Sequence, residues 1–167
     1  MQVREVVELS ALLLDIELTD EVKNVLLKCY NFVEQELATD YFPIIEVDKF
    51  FHVEDRIYIK DFSRMPYLVK GIQDFHGNSV KFKVNKTTEE YIELKKNYDG
   101  GTFFVKYYYI PEEKALYSNS TYGAEYINII KYGVAAEYCL ATGNYELAKI
   151  YSDKYKERIK FKRPKAI

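Results

Sequence analysis

TYGAEYINIIKYGVAAEYCLATGNYELAKIYSDKYKERI, residues 121–159, has the apolar spacing of two helices joined by a short turn. Ile127, Ile130, Val134, Tyr138 and Ala141 recur at three- and four-residue intervals, which lines one face of a helix; Leu147, Tyr151 and Tyr155 do the same in the second arm. Between them Thr142-Gly143-Asn144 supplies a Gly for the left-handed residue that ends one helix and an Asn that caps the next. So short a joint makes the arms antiparallel neighbours. Small residues at Gly123, Ala124, Gly133, Ala135, Ala136 and Ala141 let other elements approach the first arm on more than one side, so that arm is expected to be enclosed.

Outward from the hairpin, a second helical pair is predicted at the N-terminus. Val3, Val6, Val7, Ala11 and Leu14 mark a helix over about 2–14. Thr19 caps another over about 20–39, opened by Asp20 and Glu21 at the positive end of the helix dipole. Its stripe is Val22, Val25, Leu26, Cys29, Phe32, Val33 and Leu37, and Pro43 lies just beyond its end. The hairpin arms are placed at about 121–141 and 144–160. Residues 50–110 change period. Arg56–Lys60 alternates, Tyr67–Lys70 follows, and Lys70–Phe75 with Val80–Val84 flank a His76-Gly77-Asn78-Ser79 turn. Glu89–Leu94 has no clear period. Gly100-Gly101 then turns the chain into Thr102–Ile110, the strongest strand, closed by Pro111. The expected fold is α+β: two helical pairs packed as a small bundle, with a central antiparallel β-sheet insertion. One domain over 1–160 and a basic tail over 161–167 are expected.

The chain has 167 residues, the size of one domain, and 48% hydrophobic with 30% charged residues places it among globular proteins. Seventeen Tyr and ten Phe with no Trp is a heavy aromatic load, suited to surfaces that are partly apolar and partly wet, or to a Tyr-rich core. No signal peptide and no apolar run long enough to span a membrane is evident, so synthesis in the cytoplasm is expected. Cys29 and Cys139 each fall mid-helix, where a lone Cys is usually a small buried hydrophobe.

Catalytic patterns are missing. His52 and His76 are the only histidines, and neither has a His or Cys at zinc-ligand spacing. Phosphate-binding glycine loops, the nucleophile elbow and the zinc-protease helix motif are absent. Adjacent acids at Glu89-Glu90 and Glu112-Glu113 point opposite ways in extended chain and cannot share a proton or metal. The expectation is a non-enzyme with no cofactor and no metal.

Tyr132–Leu140, then Gly143-Asn144-Tyr145-Glu146-Leu147-Ala148 and the aromatic, basic helix through Tyr155, resembles the C-terminal helices of head-to-tail connector, or adaptor, proteins of tailed bacteriophages. The order of elements is similar too, with Ala38-Thr39-Asp40-Tyr41-Phe42-Pro43 closing the N-terminal pair before a β-insertion. The resemblance implies a virion structural protein made in the bacterial host cytoplasm. It would be a subunit of a twelvefold homo-oligomeric ring seated under the portal protein, beside further neck or tail proteins. Genomic DNA would pass through the channel without sequence-specific binding. A ring subunit buries two different side faces, for which Tyr126, Ile129, Tyr132, Ala136, Tyr151 and Tyr155 are the expected interface residues.

Charge supplies the other expected surface. Residues 149–167 hold eight basic and two acidic groups, a local +6, against −8 for the first 148 residues. An acidic body repels DNA and lets it slide. Lys156, Arg158, Lys160, Lys162, Arg163 and Lys165 are expected to dock on an acidic groove of the portal, or to meet DNA. Alternative readings are a small DNA-binding or regulatory protein using this basic helix, and another neck component such as a head-completion or tail-terminator subunit. A solvated helix face complementing the helix dipole accounts for the same charges without a partner.

Overall fold

The computed structural model describes residues 1–86, 90–95 and 101–162. The chain is α+β, with four α-helices and antiparallel sheets. Where one domain over 1–160 was expected, the contacts separate two compact units: Met1–Tyr41 with Glu112–Ile167, and Phe42–Pro111.

The first unit is helical: α1 (Val3–Leu14), α2 (Asp20–Glu36), α3 (Ile127–Ala141) and α4 (Tyr145–Lys162). The predicted caps form. Thr19 Oγ1 accepts a hydrogen bond from Val22 N, and Asn144 Oδ1 accepts one from Leu147 N, while Gly143 takes φ +79°. Helix α3 packs against all three others, with Ile129, Ile130, Gly133, Val134, Ala135, Ala136 and Cys139 buried on several sides. The reading of an enclosed arm holds.

Two boundaries and one helix face differ from expectation. Helix α3 begins at Ile127 rather than 121, after a 3-10 turn at Ala124–Tyr126, because Glu34 of α2 takes the Thr121 N–H that a helix starting there would present. Helix α2 ends at Glu36 and gives way to a wider π-helical turn, Leu37–Tyr41, where Thr39 Oγ1 bonds back to the carbonyls of Gln35 and Glu36. In α4 the buried face is Ala148, Tyr155 and Ile159, one residue out of phase with the predicted Leu147. Phe32 is also misplaced by the sequence pattern: it is 54% exposed, and Tyr30 fills the core instead. Phe32 lies about 100° round the helix from buried Val33, off the stripe.

The second unit is built from two antiparallel sheets. Strands β1 (Ile45–Val53), β7 (Gly101–Tyr109), β3 (Pro66–Asp74) and β4 (Ser79–Val80) lie in that order; β2 (Arg56–Tyr58), β6 (Tyr91–Leu94) and β5 (Phe82–Asn85) form the other sheet. Side chains from both meet in one core that includes Ile57, Ile72, Ile92, Phe103, Val105 and Tyr107. The predicted hairpin is present: Ile72 pairs with Val80, Gly77 has φ +82°, and Asp74 Oδ1 accepts from His76 N and Asn78 N. Those bonds hold the Asp74 carboxyl below its usual range, Asn78 contributing most. Val80–Val84 is not one strand, since the chain changes sheets at Lys81. The β-region also starts earlier than 50, with β1 at Ile45, and His52 (φ 53°) sits in a bulge of β1. Gly100 of the predicted turn and Glu89 of the acid pair lie outside the described residues.

Tyr107 ties a loop to this sheet. Its hydroxyl donates to Asp48 Oδ2 at 2.9 Å, and Ser63 donates to both Asp48 oxygens through N and Oγ. Burial, with the neighbouring Asp48 carboxylate, pushes the Tyr107 phenol up to about 12. Because the folded pKa lies above the unfolded value near ~10, folding holds the neutral phenol, and that contribution is complete below pH ~10 and lost as pH rises toward about 12. The β-unit is therefore expected to weaken across this window, and Tyr107→Phe to flatten the dependence. Urea midpoints of both proteins on either side of the window check it.

Candidate functional site

Two surfaces offer themselves, one on each unit. Among the described residues no group of His, Cys, Asp and Glu is placed to hold a metal ion. His52 and His76 are both exposed. Cys29 is buried and its thiol pushed up to about 11, chiefly by burial and then by Glu137, which makes it a poor nucleophile. Burial also raises Cys139.

On the helical unit the sequence-predicted residues separate into two sets. Ile129, Ala136 and Tyr155 are core residues of the helical unit itself, so these three are corrected: they have no surface to offer a neighbour. Tyr155 packs edge-on against Tyr41 and its hydroxyl donates to Glu36 Oε2 at 2.8 Å; burial and that carboxylate raise its pKa strongly. Glu137, raised by burial and by Glu36, completes an inward-facing cluster. Tyr126, Tyr132 and Tyr151 are only half-buried. Tyr132 and Tyr151 stack with ring centroids 6.4 Å apart, Lys154 Nζ lies 5.6 Å from the Tyr132 centroid, and Lys162 Nζ lies 4.7 Å from that of Tyr126. The Tyr151 hydroxyl donates to the Leu13 carbonyl, which anchors that end of the strip to α1.

Of the predicted partner-binding cations, Lys156, Arg158, Lys160 and Lys162 are exposed on α4, and Arg163 and Lys165 lie outside the described residues. The structure adds what the periodicity concealed. Leu140, Tyr145 (71% exposed), Leu147 and Ile150 crowd the tip of the α3–α4 hairpin, and Phe161 (76%) stands among the cations at its far end. An apolar edge is thus left uncovered on a helix whose opposite face is already buried.

The second surface is the outer face of the four-stranded sheet, which the sequence reading missed. Phe103, Val105 and Tyr107 of β7 point into the core, so Phe104, Lys106 and Tyr108 point out. Opposite them Lys49 pairs with Phe104, Val47 with Lys106 and Ile45 with Tyr108 on β1. Lys49 Nζ lies 4.7 Å from the centroid of Phe51 and 5.4 Å from that of Phe104, and Lys70 Nζ 5.1 Å from that of Tyr108. An open trough of about 550 Å³ runs over this face, and none of its lining residues is acidic. The alternation in residues 102–110 signals two-faced character, but which neighbours extend the outer face is set by strand order.

No helix among the described residues is long and apolar enough to cross a membrane. No protein-family model and no curated protein matches this sequence.

Proposed function

We propose that the chain is a non-enzymatic virion structural protein: a ring-forming head-to-tail connector, or adaptor, subunit seated under the portal and forming part of the DNA exit channel. The observation that carries this reading is the uncovered edge of the α3–α4 hairpin. Helix α3 is satisfied within the subunit, yet Leu140, Tyr145, Leu147 and Ile150 remain in solvent at the hairpin tip, and Phe161 does so at the far end of α4. A cluster of exposed aliphatic and aromatic groups at such a tip suits contact with another chain. In a ring that contact is heterologous, closed by rotation, and twelvefold order follows from the resemblance of residues 132–155 to connector helices. The cations at the end of α4 then project toward an acidic groove on the portal, while the acidic remainder lets DNA slide.

Co-expression with the portal of the same particle, followed by mass measurement, is the test. A portal complex bearing a closed ring of this chain is the expected result, and absence of any complex overturns the reading. Reversing charge at Lys156, Arg158, Lys160 and Lys162 together is expected to release the chain from the portal without changing its helix content.

A further inference from the structure

We propose that the outer face of the four-stranded sheet binds single-stranded DNA. A polyanion is selected because Lys49, Lys70 and Lys106 stand on this face with no acid lining its trough. Planar bases are selected because the cations are interleaved with rings. Phe104, Lys106 and Tyr108 alternate on one strand, which sets the two rings about 13 Å apart with an ammonium between them. Phe51 stands 61% exposed at the edge of the same face. Ring platforms with flanking cations are the means by which sheets hold unpaired strands, because every base has a face to stack and every nucleotide a phosphate.

Room for the strand is built in at Gly71. It pairs with Lys106, and a side chain added there would meet no atom within 4 Å, so the trough is open over the middle of the sheet. A duplex does not fit this chemistry, since its bases are stacked on each other and closed to the rings. The rings and cations meet bases and phosphates, which DNA and RNA share, so this chemistry gives RNA no advantage. The proposal does not rest on the connector reading: portal capture and oligonucleotide binding are separate measurements.

Fluorescence anisotropy of a short labelled oligothymidylate with the full chain tests it. Binding is expected at micromolar protein and low salt, with log K falling against log salt by about 0.7 for each phosphate met, hence a slope near −2 for three lysines. Lys106→Ala should make that slope shallower by about 0.7, and Phe104→Ala should weaken binding at least about fivefold. Gly71→Leu fills the trough without changing charge, and is expected to abolish binding while leaving the urea midpoint in place. The proposal is overturned by no binding under these conditions, by equal binding of duplex, or by much tighter binding of RNA. It is equally overturned if the affinity survives Gly71→Leu and Lys106→Ala but vanishes when the α4 cations are replaced, or if the face serves only to hold a second copy or an acidic protein.

Discussion

Glu34→Ala is expected to destabilise the helical unit by about 3–4 kcal/mol, the sum of several donors left without an acceptor at ~1–3 kcal/mol each. Glu34 is 1% exposed on α2, and its Oε1 is the hub of a buried network: it accepts from Tyr30 Oη at 2.7 Å, Thr121 N at 2.7 Å and Ser120 Oγ at 3.2 Å. The neighbouring carboxylate, after burial itself, raises the Tyr30 phenol far above its ordinary value, so this hydroxyl stays a donor at every accessible pH. Alanine removes the acceptor of three donors, one of them, Tyr30 Oη, fully buried and two partly buried. The effect goes beyond energy. Together with Asn31, whose side chain bonds both N and O of Lys114, Glu34 pins the segment leading into α3.

Glu34→Gln separates hydrogen bonding from charge. Glu34 Oε2 has no partner among the described residues, so an amide can set its oxygen where Oε1 stands and its nitrogen where Oε2 stands. The network survives and a buried charge is removed, but the amide nitrogen finds no acceptor there, so the expected cost is about 1–2 kcal/mol, below that of alanine. Urea unfolding followed at 222 nm checks both variants. Equal losses for alanine and glutamine would show that the charge, and not the acceptor, holds the segment.

The same residue shows where the sequence stops being readable. Periodicity reports which faces are apolar, and it located α1, most of α2 and the enclosed α3, while the caps at Thr19 of α2 and Asn144 of α4 are the ordinary ones. A glutamate among Tyr30, Val33 and Leu37 looks like a solvated charge until its partners are known, and those partners lie 86 and 87 residues away at Ser120 and Thr121. Strand β1 was hidden for a related reason. Its alternation is inverted, Ile45 and Val47 facing out with Lys49, and Asp48 faces in where Tyr107 and Ser63 satisfy it. The candidate surfaces divide the same way. The α4 cations were visible as local charge density, whereas the outer sheet face required the β1-β7-β3-β4 order that brings Lys49, Lys70 and Lys106 together. Burial of Ile129, Ala136 and Tyr155 followed from α3 being enclosed, which makes those residues core for the reason that first suggested an interface.

Gly133→Ala sets two effects of known sign against each other. In an exposed helix the change is worth about 1 kcal/mol in favour of alanine. At Gly133 the new methyl would lie 2.8 Å from Val33 Cγ1 and 3.0 Å from Tyr155 Cε2, closer than carbon atoms approach. Neither neighbour has slack: Val33 and Tyr155 are both buried, one on α2 and the other on α4, so relief requires a helix to move. Overpacking of this kind costs about 1–3 kcal/mol, and the steric term is expected to win, with a net loss of up to about 2 kcal/mol once the propensity gain is subtracted. Moving Tyr155 also stretches its 2.8 Å bond to Glu36 and disturbs the packing of α4. Val33→Ala makes room for the methyl, and in that background Gly133→Ala should become neutral or stabilising. A coupling of at least about 1 kcal/mol in the double-mutant cycle is the expected signature of direct contact. Additive losses would mean that α2 and α3 already have space between them, and that the glycine is there for another reason than close packing.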